Sequence, residues 1–168
     1  MIMLGRFTTE YVAREDRMRV TGTDGQGHCH VMWLTRLLMD RLLAAMFKLV
    51  DRPAGDGRAS ALADKMIKSA RQEAATAKLR PAPPVVAPAE QQGWLVINIS
   101  LKSRDGVVLI HFSDDGGHSA HAEIGSLHVH QWLAILFANY RRGGWESPVW
   151  TDWFVEAQAQ RPAAVAVH

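Results

Sequence analysis

The chain has 168 residues, 48% of them hydrophobic and 21% charged, and a formal net charge of +2. That length suits one domain with a sizeable core or two small ones, and the composition is that of an ordinary globular protein. No block of like charge marks an arm for nucleic acid or membrane, and Cys29, the only cysteine, excludes an internal disulfide and a cysteine-built zinc site.

The opening MIMLGRFTTEYVARED lacks a basic stretch followed by a long apolar run, so no signal peptide is expected. Apolar runs elsewhere are broken by Arg, Asp or Lys well short of a membrane span. The expectation is a cytoplasmic chain with no membrane partner.

Residues 1–50 read as three strands and a helix. FTTEYVA and RMRVTGT are strands, and HCHVMWLT is the third. Thr35 caps RLLMDRLLAAMFKLV, a helix apolar on most of its circumference that expects neighbours on several sides.

Residues 51–93 differ in composition. DRPAGDGRAS is rich in breakers, and ALADKMIKSARQEAATAKLR predicts a weakly held helix over 61–79, with only Leu62, Met66, Ile67 and Leu79 to dock it. PAPPVVAPAEQQG then reads as a flexible proline-rich linker.

Residues 94–142 repeat the first order. WLVINISL, VVLIHFS and HSAHAEI each alternate with period two, split by SRDG and DDGG, and predict a three-stranded antiparallel meander. A register that keeps Phe112 and Ala120 on one face leaves Asp115, Gly116 and Gly117 as a three-residue loop. His111 then lies opposite His121, with Glu123 diagonal. The same register pairs Arg19 with Trp33 and Thr21 with Val31 in the first half. SLHVHQWLAILFANYRRGG has helical spacing, with Ser126 as N-cap and Gly143 closing the C-terminal end.

A shift of ninety aligns residues 17–50 with 107–140 without a gap, matching Asp24/Asp114, Gly27/Gly117, His28/His118, Leu37/Leu127, Leu43/Leu133, Ala44/Ala134 and Phe47/Phe137. Upstream, Arg14 matches Arg104. A duplicated unit accounts for this. The expected fold is therefore α+β: two βββα units, each an antiparallel three-stranded meander followed by a helix, forming one compact sandwich-like domain. Residues 143–155 form a Trp-rich packing segment, and 156–168 a disordered tail.

Four constellations bear on function. His111, His121 and Glu123 share a sheet face and are the outside reading for a metal site, with plain polar surface as the ordinary one. Cys29 lacks the surroundings of a nucleophile. Arg19, Trp33, Trp94, Lys102 and Arg104 combine cations with aromatics and are the candidate contacts for single-stranded nucleic acid. Trp145, Trp150, Trp153 and Phe154, in GGWESPVWTDWF, read as a segment that packs back on the fold or onto a second subunit.

Element order resembles two families. VTGTDGQGHCHVMWLT, the helical pair RLLMDRLLAAMFKLV and ALADKMIKSARQEAATAKL, and the returning WLVINISLKSRDGVVLIHFSDDGGHSAHAEI are similar to the globular head of the X-ray-repair cross-complementing, PAXX and centriolar-assembly scaffold superfamily. That resemblance implies a scaffold built on a β-sandwich, though the family's coiled coil has no counterpart after Tyr140. The duplicated strands-then-helix order also resembles the Whirly and PUR-repeat group, which implies binding to single-stranded nucleic acid. Those units carry four strands where three are found here.

No nucleophile–base pair, phosphate loop or metal motif is evident, so no enzymatic activity, catalytic residue or cofactor is expected. The reading is a non-enzymatic scaffold or adaptor, homodimeric and bound to a further protein. Single-stranded nucleic-acid binding through the outer sheet faces is the alternative.

Overall fold

A computed structural model of the chain describes residues 2–51, 60–80 and 82–159. It is α+β, with seven strands in one curled sheet and four helices. The strands are β1 (Ile2–Val12), β2 (Arg17–Asp24), β3 (Cys29–Leu34), β4 (Trp94–Leu95), β5 (Asn98–Arg104), β6 (Val107–Ser113) and β7 (Ser119–Gly125). The helices are α1 (Arg36–Val50), α2 (Ala61–Ala77), α3 (Ser126–Gly143) and α4 (Asp152–Ala159).

Both antiparallel meanders form in the expected register. Arg19 pairs with Trp33 and Thr21 with Val31, while Phe112 pairs with Ala120 and His111 with His121. The polar turns close alike: Asp24 and Asp114 each accept a hydrogen bond from the backbone N–H of the histidine four residues on, and Gly27 and Gly117 take positive φ (85° and 91°). The β5–β6 hairpin is tighter. Asp105 and Gly106 both have positive φ (52° and 77°), the two-residue turn whose twist matches paired strands.

The meanders are not the two separate sheets of a sandwich. They are joined edge to edge in the order β4-β3-β2-β1-β7-β6-β5, with β1 parallel to β7 and β3 parallel to β4. Leu4 pairs with Ala122 and Trp94 with Met32, so these junctions are also related by a shift of ninety. The two ends of the sheet are consecutive pieces of the segment 94–104. Val96 N–H donates to Trp33 O on β3, and Ile97 N–H donates to Ser113 O on β6, both at 2.9 Å. A sandwich needs two separate sheets, and here all seven strands belong to one.

One face of the sheet holds Leu4, Met18, Val20, Met32, Leu34, Ile110, Phe112, Ala120 and Ala122, all buried with α1 and α3. Helix α1 buries Leu38, Met39, Leu42, Leu43, Met46 and Phe47, as its broad apolar surface requires. Thr35 caps it, accepting from Leu38 N–H at 3.3 Å. Helix α3 begins otherwise than expected: Gly125, not Ser126, is the N-cap and offers no side-chain bond, and Gly144, not Gly143, takes the left-handed C-cap. Gly144 has a φ of 63°, a left-handed conformation that a residue without a Cβ adopts at little cost, so the helix ends there.

Asn139 shows how a helix deals with a strand edge. Its Oδ1 accepts from Tyr11 N–H (2.8 Å), and its Nδ2 donates to Thr9 O (3.3 Å), satisfying backbone groups of β1 that face away from β2.

Two segments differ from expectation. Helix α2 is docked, but through small and polar residues. Gln72 donates to His130 O and Gln131 donates to Ala75 O, and Gln72, Ala75 and Thr76 are the buried side chains. Leu62 and Met66, expected to dock it, remain 68% and 64% exposed. The supposed tail is also shorter, because 156–159 belong to α4; residues 160–168, like 52–59, lie outside the described residues.

Candidate functional site

The outer face of each meander carries two short rows of side chains. On the first, Thr8, Thr21 and Val31 form one row and Glu10, Arg19 and Trp33 the next, counted towards the β1–β2 turn. On the second, the matching rows behind the β5–β6 turn are Ser100, His111 and His121, then Lys102, Leu109 and Glu123. The sequence places most of these outward by alternation alone. It does not show what lies over them.

Over the first face lies the proline-rich segment 82–92, which has no regular secondary structure but is seated. Val85 N–H donates to Thr8 Oγ1 at 2.8 Å, and Arg6 Nη2 donates to Pro83 O at 2.9 Å. Val85 is only 8% exposed, and Thr21 and Val31 beneath this path are buried. At the far end the chain passes so close to the sheet that a Cβ on Gly93 would stand 2.5 Å from Trp33 Nε1 and 2.7 Å from Val31 Cγ1. Proline fixes an extended backbone and removes donors, so such a segment can cross a sheet face without leaving many N–H groups unsatisfied. It is thus a strap rather than a free linker.

Among the described residues nothing comparable crosses the second face. Ser100, Lys102, Leu109, His111, His121 and Glu123 line a groove of about 360 Å³. The metal reading is not supported there: among the described residues no three His, Cys, Asp or Glu side chains are grouped to hold an ion. His111 faces His121 across the strands, whereas Glu123 lies opposite Leu109.

The nucleic-acid candidates do not gather in one place. Arg19 lies over the Trp33 ring (5.7 Å to the centroid), but its guanidinium is held by Glu10 at 2.6 and 2.9 Å. Trp94 stacks on His118 at 5.6 Å. Lys102 stands in the groove, and Arg104 is exposed beside Asp105.

The Trp-rich segment packs back on its own chain. Trp145, Trp153 and Phe154 are buried, and Phe154 stacks on Trp150 while meeting Phe47 and Phe137 edge-on at 5.4 and 5.7 Å. Asp16, on the β1–β2 turn, accepts from both Trp145 Nε1 and Tyr11 Oη at 2.8 Å. Those bonds favour the carboxylate and hold Asp16 below its ordinary range, and they tie the segment to the sheet.

Two further clusters are polar. Asp24 Oδ2 meets His30 Nε2 (3.1 Å) and His28 Nδ1 (3.2 Å) while Oδ1 accepts backbone N–H groups of Gln26 and His28. The His30 contact leads in pushing its pKa well down, against partial desolvation. For Asp114, desolvation pulls upward but the side chain and backbone N–H of His118 outweigh it. Between α2 and the start of α3, Arg71, Ala74, Lys78, Ser126, Leu127 and His130 line a cleft of about 250 Å³. Burial, then the Arg71 charge, lowers the His130 pKa.

Compared with protein-family models, with curated proteins and with solved structures, the chain matches none.

Proposed function

We propose that this chain is a non-enzymatic, cytoplasmic scaffold or adaptor that works through protein–protein contacts, as a homodimer. One observation carries the reading: an outer face of its sheet already holds an extended proline-rich stretch by a buried valine and side-chain-to-backbone bonds. A surface built to seat polypeptide in this way is suited to a binding protein. The matching registers of the two meanders and their junctions support descent from a duplicated βββα unit, which would supply two such faces. The element order shared with the scaffold heads agrees with this role.

For self-association the candidate surface is α2, whose Leu62 and Met66 project outward from a helix otherwise rich in alanine. The aromatic cluster of Trp145, Trp150, Trp153 and Phe154 serves the fold and supplies little free surface. Single-stranded nucleic-acid binding is the second reading, favoured by the Arg19–Trp33 stack. The bond from Arg19 to Glu10 spends that cation within the chain.

Sedimentation equilibrium at rising concentration tests the proposal. The native chain is expected to associate, and the double variant Leu62→Glu, Met66→Glu to remain monomeric with an unchanged circular dichroism spectrum. A native chain that stays monomeric throughout the concentration series removes the homodimer.

A further inference from the structure

We propose that the groove over Ser100, His111 and His121 is a docking site for an extended, acidic segment of a partner polypeptide. The partner would cross the second meander as residues 82–92 of this chain cross the first. The inference rests on the protein-contact reading above and adds the face and the chemistry of its ligand.

The argument begins with position. Counted from the closing pair of each hairpin, Ser100–His111–His121 occupies the place of Thr8–Thr21–Val31. Ser100 brings a hydroxyl where Thr8 has one, and the Thr8 hydroxyl is the acceptor for the strap's Val85 N–H. The means of fixing a crossing backbone is therefore present on both faces. Among the described residues only the first face is covered, and the second leaves a groove of about 360 Å³.

The floors differ, and the difference selects the occupant. On the covered face Thr21 and Val31 are buried, and so is Val85 of the strap that crosses it. His111 and His121 stand opposite each other in their place. Each neutral imidazole has one N–H to donate, so the pair can offer two donors to a carboxylate, and Lys102 in the neighbouring row adds a cation. An aliphatic anchor would leave those donors unsatisfied on contact, which costs free energy. Glu123 closes the other end of the Lys102–Leu109–Glu123 row. With one fixed cation and one fixed anion, the groove complements a single placed carboxylate better than the continuous negative charge of a nucleic-acid strand.

The test uses the full chain, isotope-labelled, and two synthetic peptides. One copies residues 82–92, and the other is the same peptide with Val85→Glu. In amide-shift titrations the acidic peptide is expected to perturb Ser100, His111 and His121 and to bind at least about tenfold more tightly than its parent, a difference of about 1.4 kcal/mol. In the double variant His111→Thr, His121→Val, which copies the floor of the first face, the preference is expected to reverse.

Absence of binding by both peptides, perturbations confined to another surface, or equal affinity for the two in the native chain would overturn the proposal. So would stronger perturbation of the same groove by a single-stranded oligonucleotide at physiological salt. If the groove fails in any of these ways while α2-dependent self-association persists, the scaffold reading stands and only this site is lost.

Discussion

Replacing Phe154 with Ala separates a packing role for the C-terminal aromatic cluster from an intersubunit one. Phe154 is fully buried, stacked on Trp150 at 5.4 Å and set edge-on to Phe47, Phe137 and Trp153 at 5.4, 5.7 and 5.8 Å. Truncating a buried phenylalanine costs about 3–5 kcal/mol, through lost transfer energy and the cavity left behind. The site has little means of collapse, because its walls are rings anchored elsewhere: Trp153 donates to Asp51 Oδ1 at 3.0 Å, and Phe47 and Phe137 lie on separate helices. The upper half of that range is expected, about 4–5 kcal/mol. At roughly 2–4 °C per kcal/mol for a domain of this size, the melting temperature should fall by roughly 8–20 °C. Urea unfolding followed by circular dichroism measures the change, with Val155→Ala, a half-exposed neighbour, as a control expected to cost less than about 1 kcal/mol. A Phe154→Ala protein that keeps native stability but loses its dimer would refute this reasoning and return the cluster to an interface.

Three other perturbations follow from the same contacts. Asn139→Leu strands Tyr11 N–H and Thr9 O, and should cost about 1–3 kcal/mol with faster hydrogen exchange at Tyr11; an unchanged exchange rate counts against the edge-capping role. His130 has its folded pKa lowered, so its contribution to stability is present above its unfolded value of about 6.5 and is lost as pH falls below it. Asp24 and Asp114, also lowered, lose theirs below their unfolded value of about 3.9. Urea midpoints should therefore decline in two stages on acidification, with His130→Gln removing the first; a flat profile between pH 7 and 5 contradicts the His130 assignment. Val85→Asp should release the strap and open 82–92 to limited proteolysis, whereas equal cleavage of the native chain would show the strap to be loosely held.

Most strands, their registers and the polar turns were legible because alternation and Gly placement are local signals, but β1 begins earlier than FTTEYVA and the single strand read in WLVINISL is broken into β4 and β5. Arg19 opposite Trp33 and His111 opposite His121 follow from parity together with a three-residue Gly turn. The junctions were not legible. The parallel pairs of β1 with β7 and β3 with β4 span only a few residues each, and nothing local distinguishes an edge that will be paired from one that will not. Helix α2 misled because its large apolar side chains face outward while its contacts run through Gln72, Ala75 and Thr76, which hydropathy does not flag. The strap misled for the opposite reason. Proline-rich composition signals an extended backbone equally well for a free linker and for one seated on a sheet, and a single valine decides between them. Most of the open groove's lining could be assigned to the outer face from sequence, but its openness depends on where the strap lies.

The most direct test of a protein-contact role against a nucleic-acid one is the binding of a labelled single-stranded oligonucleotide to the full chain across a salt series, read by fluorescence anisotropy. The account predicts little binding at physiological salt and, in the same samples, self-association that persists as salt rises. Tight binding that weakens steeply with salt, by a protein that remains monomeric, would contradict it.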